Sequence, residues 1–249
     1  MSYDYLKNQN GKLGVSYTFS QSFHTDSLRR FNFRNHQIQH YGTYATDLFG
    51  HPVTAGLRYT FVHGTLDRDT FSSSNGFLPW FAIEVIDHVV LSVYDHIAAI
   101  DFRDQGFFPD VSSRDGWYNT LGTMTTFYFS NQTRSVSLGY EFGYNQTEGD
   151  NFDAKIEAVR AGVKSPVVEK ISGEASFSVL QDDRYNYAVL PRRTDVHFSV
   201  TAKLIRPITK YVDARLLYHF TKVDNDHAGV LGQFEYSRHI FGCEISFVY

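Results

Sequence analysis

Apolar residues recur along this chain at every second position, not at the i, i+3, i+4 spacing of a helix. The clearest case is the last segment. Phe241, Cys243, Ile245, Phe247 and Tyr249 share one parity, with Gly242, Glu244, Ser246 and Val248 between them. Before it, Val212, Ala214, Leu216, Tyr218 and Phe220 alternate with Asp213, Arg215, Leu217, His219 and Thr221. Val196, Phe198, Val200, Ala202 and Leu204 alternate with Asp195, His197, Ser199, Thr201 and Lys203. The same holds for 171–179, 135–144, 53–61 and 12–20. No stretch of comparable length carries helical periodicity, so the pattern predicts an all-β chain.

About twelve strands follow, over roughly 11–24, 29–47, 52–67, 71–86, 89–104, 116–130, 134–148, 152–167, 170–182, 192–207, 211–225 and 234–249. Some are irregular. Residues 30–46 carry polar groups at both parities, and Asp95 and His96 break the alternation of 89–104. Pro79 weakens its strand, because proline donates no ladder hydrogen bond. In 152–167 the apolar parity switches from Ala154, Ile156 and Ala158 to Val159, Ala161 and Val163, which predicts a β-bulge. Met1 to Leu6 reads as the tail of a preceding strand, with 7–11 as its turn.

The connections sort by length. Short ones fall at 48–51, 87–88, 131–133, 168–169 and 208–210; longer, polar ones at 23–28, 105–115, 183–191 and 226–233, with the short 149–151 breaking the trend. Short turns at one end and long loops at the other are the habit of up-and-down barrels in outer membranes. Strands of this length suit a tilted crossing of about 30 Å of hydrocarbon. With a periplasmic C-terminus, Phe19, Tyr59, Phe61, Tyr140, Phe142, Tyr144, Tyr218 and Phe220 lie near the outer ends of their strands, and Phe127, Phe129, Phe247 and Tyr249 near the inner ends. Two aromatic girdles are expected where amphipathic rings meet bilayer interfaces. A soluble β-sandwich also alternates, but its connections would not fall into two length classes. A propeller would show a repeat of about 40 residues, and none is present. The expected fold is an antiparallel up-and-down transmembrane β-barrel occupying residues 1–249 as a single domain.

Composition removes other classes. With 249 residues, 42% hydrophobic and 16% aromatic, the chain is not disordered. One Cys excludes a disulfide framework. A net charge of −4 argues against a nucleic-acid partner. The most apolar stretch, 81–100, carries Glu84, Asp87, His88 and Asp95 and makes no membrane helix. Met1 to Tyr5 carries no secretory n-region and apolar core. An exported barrel therefore predicts sequence upstream of Met1, and a lost hairpin there would raise the strand number to fourteen.

The terminal run Phe241, Ile245, Phe247, Tyr249, with Cys243 between, resembles the sorting signal that bacterial outer-membrane proteins present to their barrel assembly machinery. Further motifs are Ser113-Arg114-Asp115, Arg192-Arg193-Thr194-Asp195, Arg206-Pro207-Ile208, Tyr218-His219-Phe220, Asp224-Asn225-Asp226 and Phe234-Glu235-Tyr236-Ser237-Arg238-His239. Together they resemble the C-terminal barrel of outer-membrane proteins with periplasmic tetratricopeptide repeats, of the surface lipoprotein assembly modifier and exopolysaccharide secretion porin type. The resemblance covers most of 50–249, and the family's repeat domain is not in this sequence. It implies an outer-membrane location, contact with lipid and lipopolysaccharide, a periplasmic repeat domain as partner, and a polymer or lipoprotein cargo.

The inward parity gives the candidate lumen residues Arg58, Glu141, Glu174, Asp195, His197, Lys203, Asp213, Arg215, His219 and Glu244. Lys12, Glu84 and Arg238 share that face. Their mixed signs argue against strong ion selectivity, which uses rings of one sign. They fit either a rigidifying network or a hydrated path for a bulky, weakly charged cargo. Asp195, Arg215 and Glu244 stand on adjacent strands and are the expected ion-pairing group. Eleven scattered His with no H-x-x-x-H helix and no Cys/His cluster predict no metal site and no cofactor. The acidic Asp67, Asp69, Asp182, Asp183, Asp224 and Asp226 read mainly as loop-solvating, with recruitment of divalent cations near lipopolysaccharide the lesser reading. No G-x-S-x-G or comparable nucleophile motif appears, so no enzymatic activity is expected. The expected function is an export barrel passing exopolysaccharide or surface lipoprotein. A passive small-solute porin is the first alternative and a barrel lipid hydrolase the second.

Overall fold

The computed structural model describes residues 2–22, 33–66, 69–103, 114–129, 132–149, 153–184, 193–209, 212–225 and 236–247. Tyr249, Asp67, Asp226, Phe234 and most of the four longer connections lie outside them. The described residues form thirteen strands: β1 (Ser2–Lys7), β2 (Gly11–Ser22), β3 (Phe33–Leu48), β4 (His51–Leu66), β5 (Asp69–Ile86), β6 (Val89–Phe102), β7 (Gly116–Phe129), β8 (Arg134–Thr147), β9 (Ala154–Val168), β10 (Ile171–Arg184), β11 (Arg193–Thr209), β12 (Val212–Asn225) and β13 (Tyr236–Phe247). Each pairs antiparallel with its sequence neighbours, in one sheet ordered β1 to β13. This is the up-and-down barrel meander. Twelve strands match the alternating segments. The thirteenth, β1, is the short N-terminal run, which pairs with β2.

The hairpins at the short-turn end are tight. Phe49 and Gly50 have φ of 52° and 83°, the left-handed pair that a two-residue type I′ turn requires. His88, Gln132 and Lys170 take similar positive φ in the equivalent turns. The even-numbered strands run away from this end. Pro79 leaves its mark as expected: pairing of β5 with β6 runs to Phe77–Ile97 and resumes at Trp80–Tyr94.

The bulge expected in 152–167 is not there. Register between β8 and β9 is unbroken from Ser135–Lys164 to Asn145–Ala154. The parity switch has another cause. Ala154, Ile156 and Ala158 point inward and are buried, while Lys155 and Glu157 take the outer face and form an ion pair at the loop end of the strand. The register shift that β9 does show lies at its other end, opposite Ile171 and Ser172.

The distribution of burial is inside-out. The buried hydrophobic residues are Val53, Ala98, Ala154, Ile156, Ala158 and Val223, half of them alanine. Buried beside them are Thr120, Glu141 and Asp195. The large apolar side chains are outside: Leu57, Leu121, Leu138, Leu204, Leu216 and Phe241 are all exposed, Phe241 at 79%. A continuous apolar band of this extent is incompatible with water and matches the hydrocarbon-facing surface of a membrane barrel.

A polar-tipped girdle closes the band toward the loop end. Tyr17 and Phe19 on β2 flank His36 on β3, with the Tyr17 hydroxyl and His36 Nδ1 sharing a hydrogen bond of 2.7 Å. Tyr218 and Phe220 on β12 flank His239 on β13 in the same way, at 3.0 Å. Ring separation and tilt agree as well: Tyr17–His36 and Tyr218–His239 both have centroids 6.1 Å apart at 36°. On β4, Tyr59 precedes Phe61 and donates to Asn75 Oδ1 at 2.6 Å. On β8, Tyr140 precedes Phe142, which stands opposite Glu157 and under the Lys155 ammonium, 5.3 Å from the ring centroid. The unit is a Tyr-x-Phe on a rising strand and a polar residue on the next, opposite the Phe. In β6–β7 the corresponding places hold Asp95 and Asn119, joined by a 2.8 Å hydrogen bond from the Asn119 amide.

Candidate functional site

Inward-facing side chains line the other face of the sheet, and one row organises them. Tyr94 on β6, Gly122 on β7, Glu141 on β8 and Ala158 on β9 are successive register partners. Gly122 has no side chain, so the Tyr94 ring lies across β7; a Cβ there would enter that ring. The Tyr94 hydroxyl thereby reaches Glu141 and donates to its Oε1. Arg160 donates to the other oxygen at 2.7 Å. Gly143 lets β7 and β8 close up beside this pair, since a Cβ would meet the Thr120 side chain and backbone. Thr120 is 2% exposed and Glu141 7%. A carboxylate this dry is stable only with its charge paired and its oxygens hydrogen-bonded, which Arg160 and Tyr94 supply.

The same device recurs near the N-terminus. Tyr41 on β3, Gly14 on β2 and Asp4 on β1 are register partners. Tyr41 donates across Gly14 to Asp4, and Lys12 pairs with Asp4 at 3.0 Å. An aromatic crosses a glycine to reach an acid already held by a cation. Trp80 likewise lies over Gly56, its register partner on β4.

Charges elsewhere on this face mostly meet their opposites. Glu174 on β10 stands between Lys164 on β9 at 3.2 Å and Lys203 on β11 at 3.8 Å. Arg215 lies 3.9 Å from Asp213 and opposite Glu244 in register. His219 engages both ring nitrogens, with Thr201 at 2.9 Å and Thr221 at 2.7 Å. Arg58 stands opposite Tyr41 and Leu78. Asp195 and His197 lie at the loop end of β11, opposite Asp182 and Leu180. The expected grouping of Asp195 with Arg215 and Glu244 therefore divides. Asp195 pairs in register with Asn225 at the loop end of β12, whereas Arg215 faces Ile205 near the turn end. Of the terminal run, Phe241 faces outward, and Ile245 and Phe247 stand opposite Ala214 and Val212.

No family model matches the chain, and no curated protein matches it. Solved structures with a similar course include the translocator domain of the autotransporter NalP from Neisseria meningitidis. It aligns over 98% of this chain and 90% of its own, at 11% identity and a TM-score of 0.41. Another is OccD3 (OpdP) of Pseudomonas aeruginosa, over 100% of this chain and 68% of its own, at 8% identity and a TM-score of 0.45.

Sequence reasoning missed Tyr94, Arg160, Asp4 and Tyr41. Arg160 was hidden by reading its segment as bulged. Tyr94 was hidden because Asp95 and His96 break the alternation of its strand and leave its face unassigned by parity. The signal that finds both is cross-strand: a glycine placed between an aromatic and an acid once the register is known.

Proposed function

We propose that this chain is the barrel of an outer-membrane export conduit, moving exopolysaccharide or surface lipoprotein in a Gram-negative bacterium. Its partners are then lipopolysaccharide, the assembly machinery that reads the C-terminal run, and a periplasmic repeat domain. The observation that carries this reading is the dry lumen sector of β6–β9. Glu141 and Thr120 are buried there under Tyr94 and Arg160, while the charges elsewhere on the same face largely neutralise one another. A passive porin keeps an open aqueous channel; a dry, cross-linked patch of lumen wall suits instead a conduit that opens only with its partners. Mixed, paired charge also suits a cargo without strong charge of its own.

Single-channel recording in planar lipid bilayers tests this. The wild-type barrel is expected to be closed for most of the record. Glu141→Ala, which releases Arg160 and Tyr94 together, raises the open fraction. Steady wild-type channels, unchanged by that substitution, would favour the small-solute porin instead.

A further inference from the structure

The geometry points to a transition-metal site, fitted to zinc, where Asp182, Asp195 and His197 converge at the loop end of the lumen. One carboxylate oxygen from each Asp and one ring nitrogen of His197 all lie within 4.8 Å of one another. The fold brings them together simply. Asp182 on β10 and Asp195 on β11 are direct register partners, and His197 is the next inward residue after Asp195.

Two further features favour a metal. His197 Nε2 is buried with no hydrogen-bond partner among the described residues, although a buried ring nitrogen normally has one. His197 is also flanked in register by Leu180 and Val223, and Val223 is 3% exposed. An apolar collar around a mixed nitrogen and oxygen shell is typical of transition-metal centres. The donor set decides the ion. Calcium and magnesium take oxygen ligands, whereas imidazole with carboxylates suits zinc. Zinc bonds of about 2.0–2.2 Å place neighbouring ligand atoms roughly 3.3 Å apart, so modest rotations of the two Asp side chains complete three ligands. A tetrahedral zinc would leave its fourth position to water. This site does not depend on what the lumen carries.

Zinc itself is the probe. The full chain, refolded in detergent micelles and freed of metal with a chelator, is titrated with ZnCl2 by calorimetry. Cobalt is substituted separately for its visible absorption. One zinc per chain is expected. Asp195→Asn and His197→Gln should each weaken binding by more than about tenfold, the lower bound set by losses of mere outer-shell partners, and His197→Gln should abolish the cobalt bands. His219→Gln, whose ring nitrogens are used by Thr201 and Thr221, should bind as wild type. Heat-dependent gel mobility confirms that each variant is folded. Absence of zinc uptake by folded wild type would overturn the assignment, as would binding that survives both substitutions.

Discussion

Replacing Leu216 by arginine puts a charge on the outer face of β12, between Leu204 and Cys243. Leu216 is 57% exposed and lies below the Tyr218–Phe220 girdle, within the apolar band. An arginine at mid-membrane depth on the lipid face of a barrel costs about 2–4 kcal/mol. Leu217, one residue along, faces the lumen between Lys203 and Gly242. Leu217→Arg meets a like charge directly opposite, worth about 0.2–1 kcal/mol, while Gly242 leaves room and the lumen supplies water. The two variants should differ by about 2 kcal/mol, or roughly thirtyfold in the unfolding equilibrium. Reversible guanidinium titration in phospholipid vesicles, followed by tryptophan emission, measures the gap. Equal midpoints and equal slopes for the two variants would refute the assignment of faces, and with it the membrane reading of the sheet.

Gly122→Ala should destabilise the barrel by about 1–3 kcal/mol, the usual range for overpacking, because its Cβ enters the Tyr94 ring. In a double-mutant cycle with Tyr94→Ala most of that loss should disappear, and additive losses in the same titration would remove Tyr94 from Gly122. Cys243, the chain's only cysteine, is exposed on the outer face. In vesicles it should resist a charged maleimide and react with a lipid-soluble one, both scored by intact mass, whereas rapid reaction with the charged reagent would place it in water.

Much of this architecture was legible because alternation in β12 and β13 is strict. Leu216, Tyr218 and Phe241 fall on one face by parity alone, and the exposed positions follow. The failures are of one physical kind. Alternation separates apolar from polar, yet a barrel has two surfaces that accept apolar residues, the lipid face and a dry patch of lumen. Ala154, Ile156 and Ala158 belong to the second, and their outward neighbours Lys155 and Glu157 belong to the interfacial girdle. The resulting switch of parity imitates a bulge. The division of Asp195 from Arg215 and Glu244 has another source. Adjacency of strands says nothing about height, which is set by the turns and by register across each pair. The Asp182, Asp195 and His197 cluster was beyond sequence reading for the same reason: 182 and 195 become neighbours only through the β10–β11 register.

The recurrence of Tyr-x-Phe on β2, β4, β8 and β12 bears on how the molecule sits in its bilayer. Each unit offers a hydroxyl or ring to the headgroup layer at a comparable level of its strand, so vertical position is fixed at four stations around the wall. Three points define a plane. Loss of any one anchor leaves immersion depth and tilt determined, and the removal of any two would let the cylinder lean.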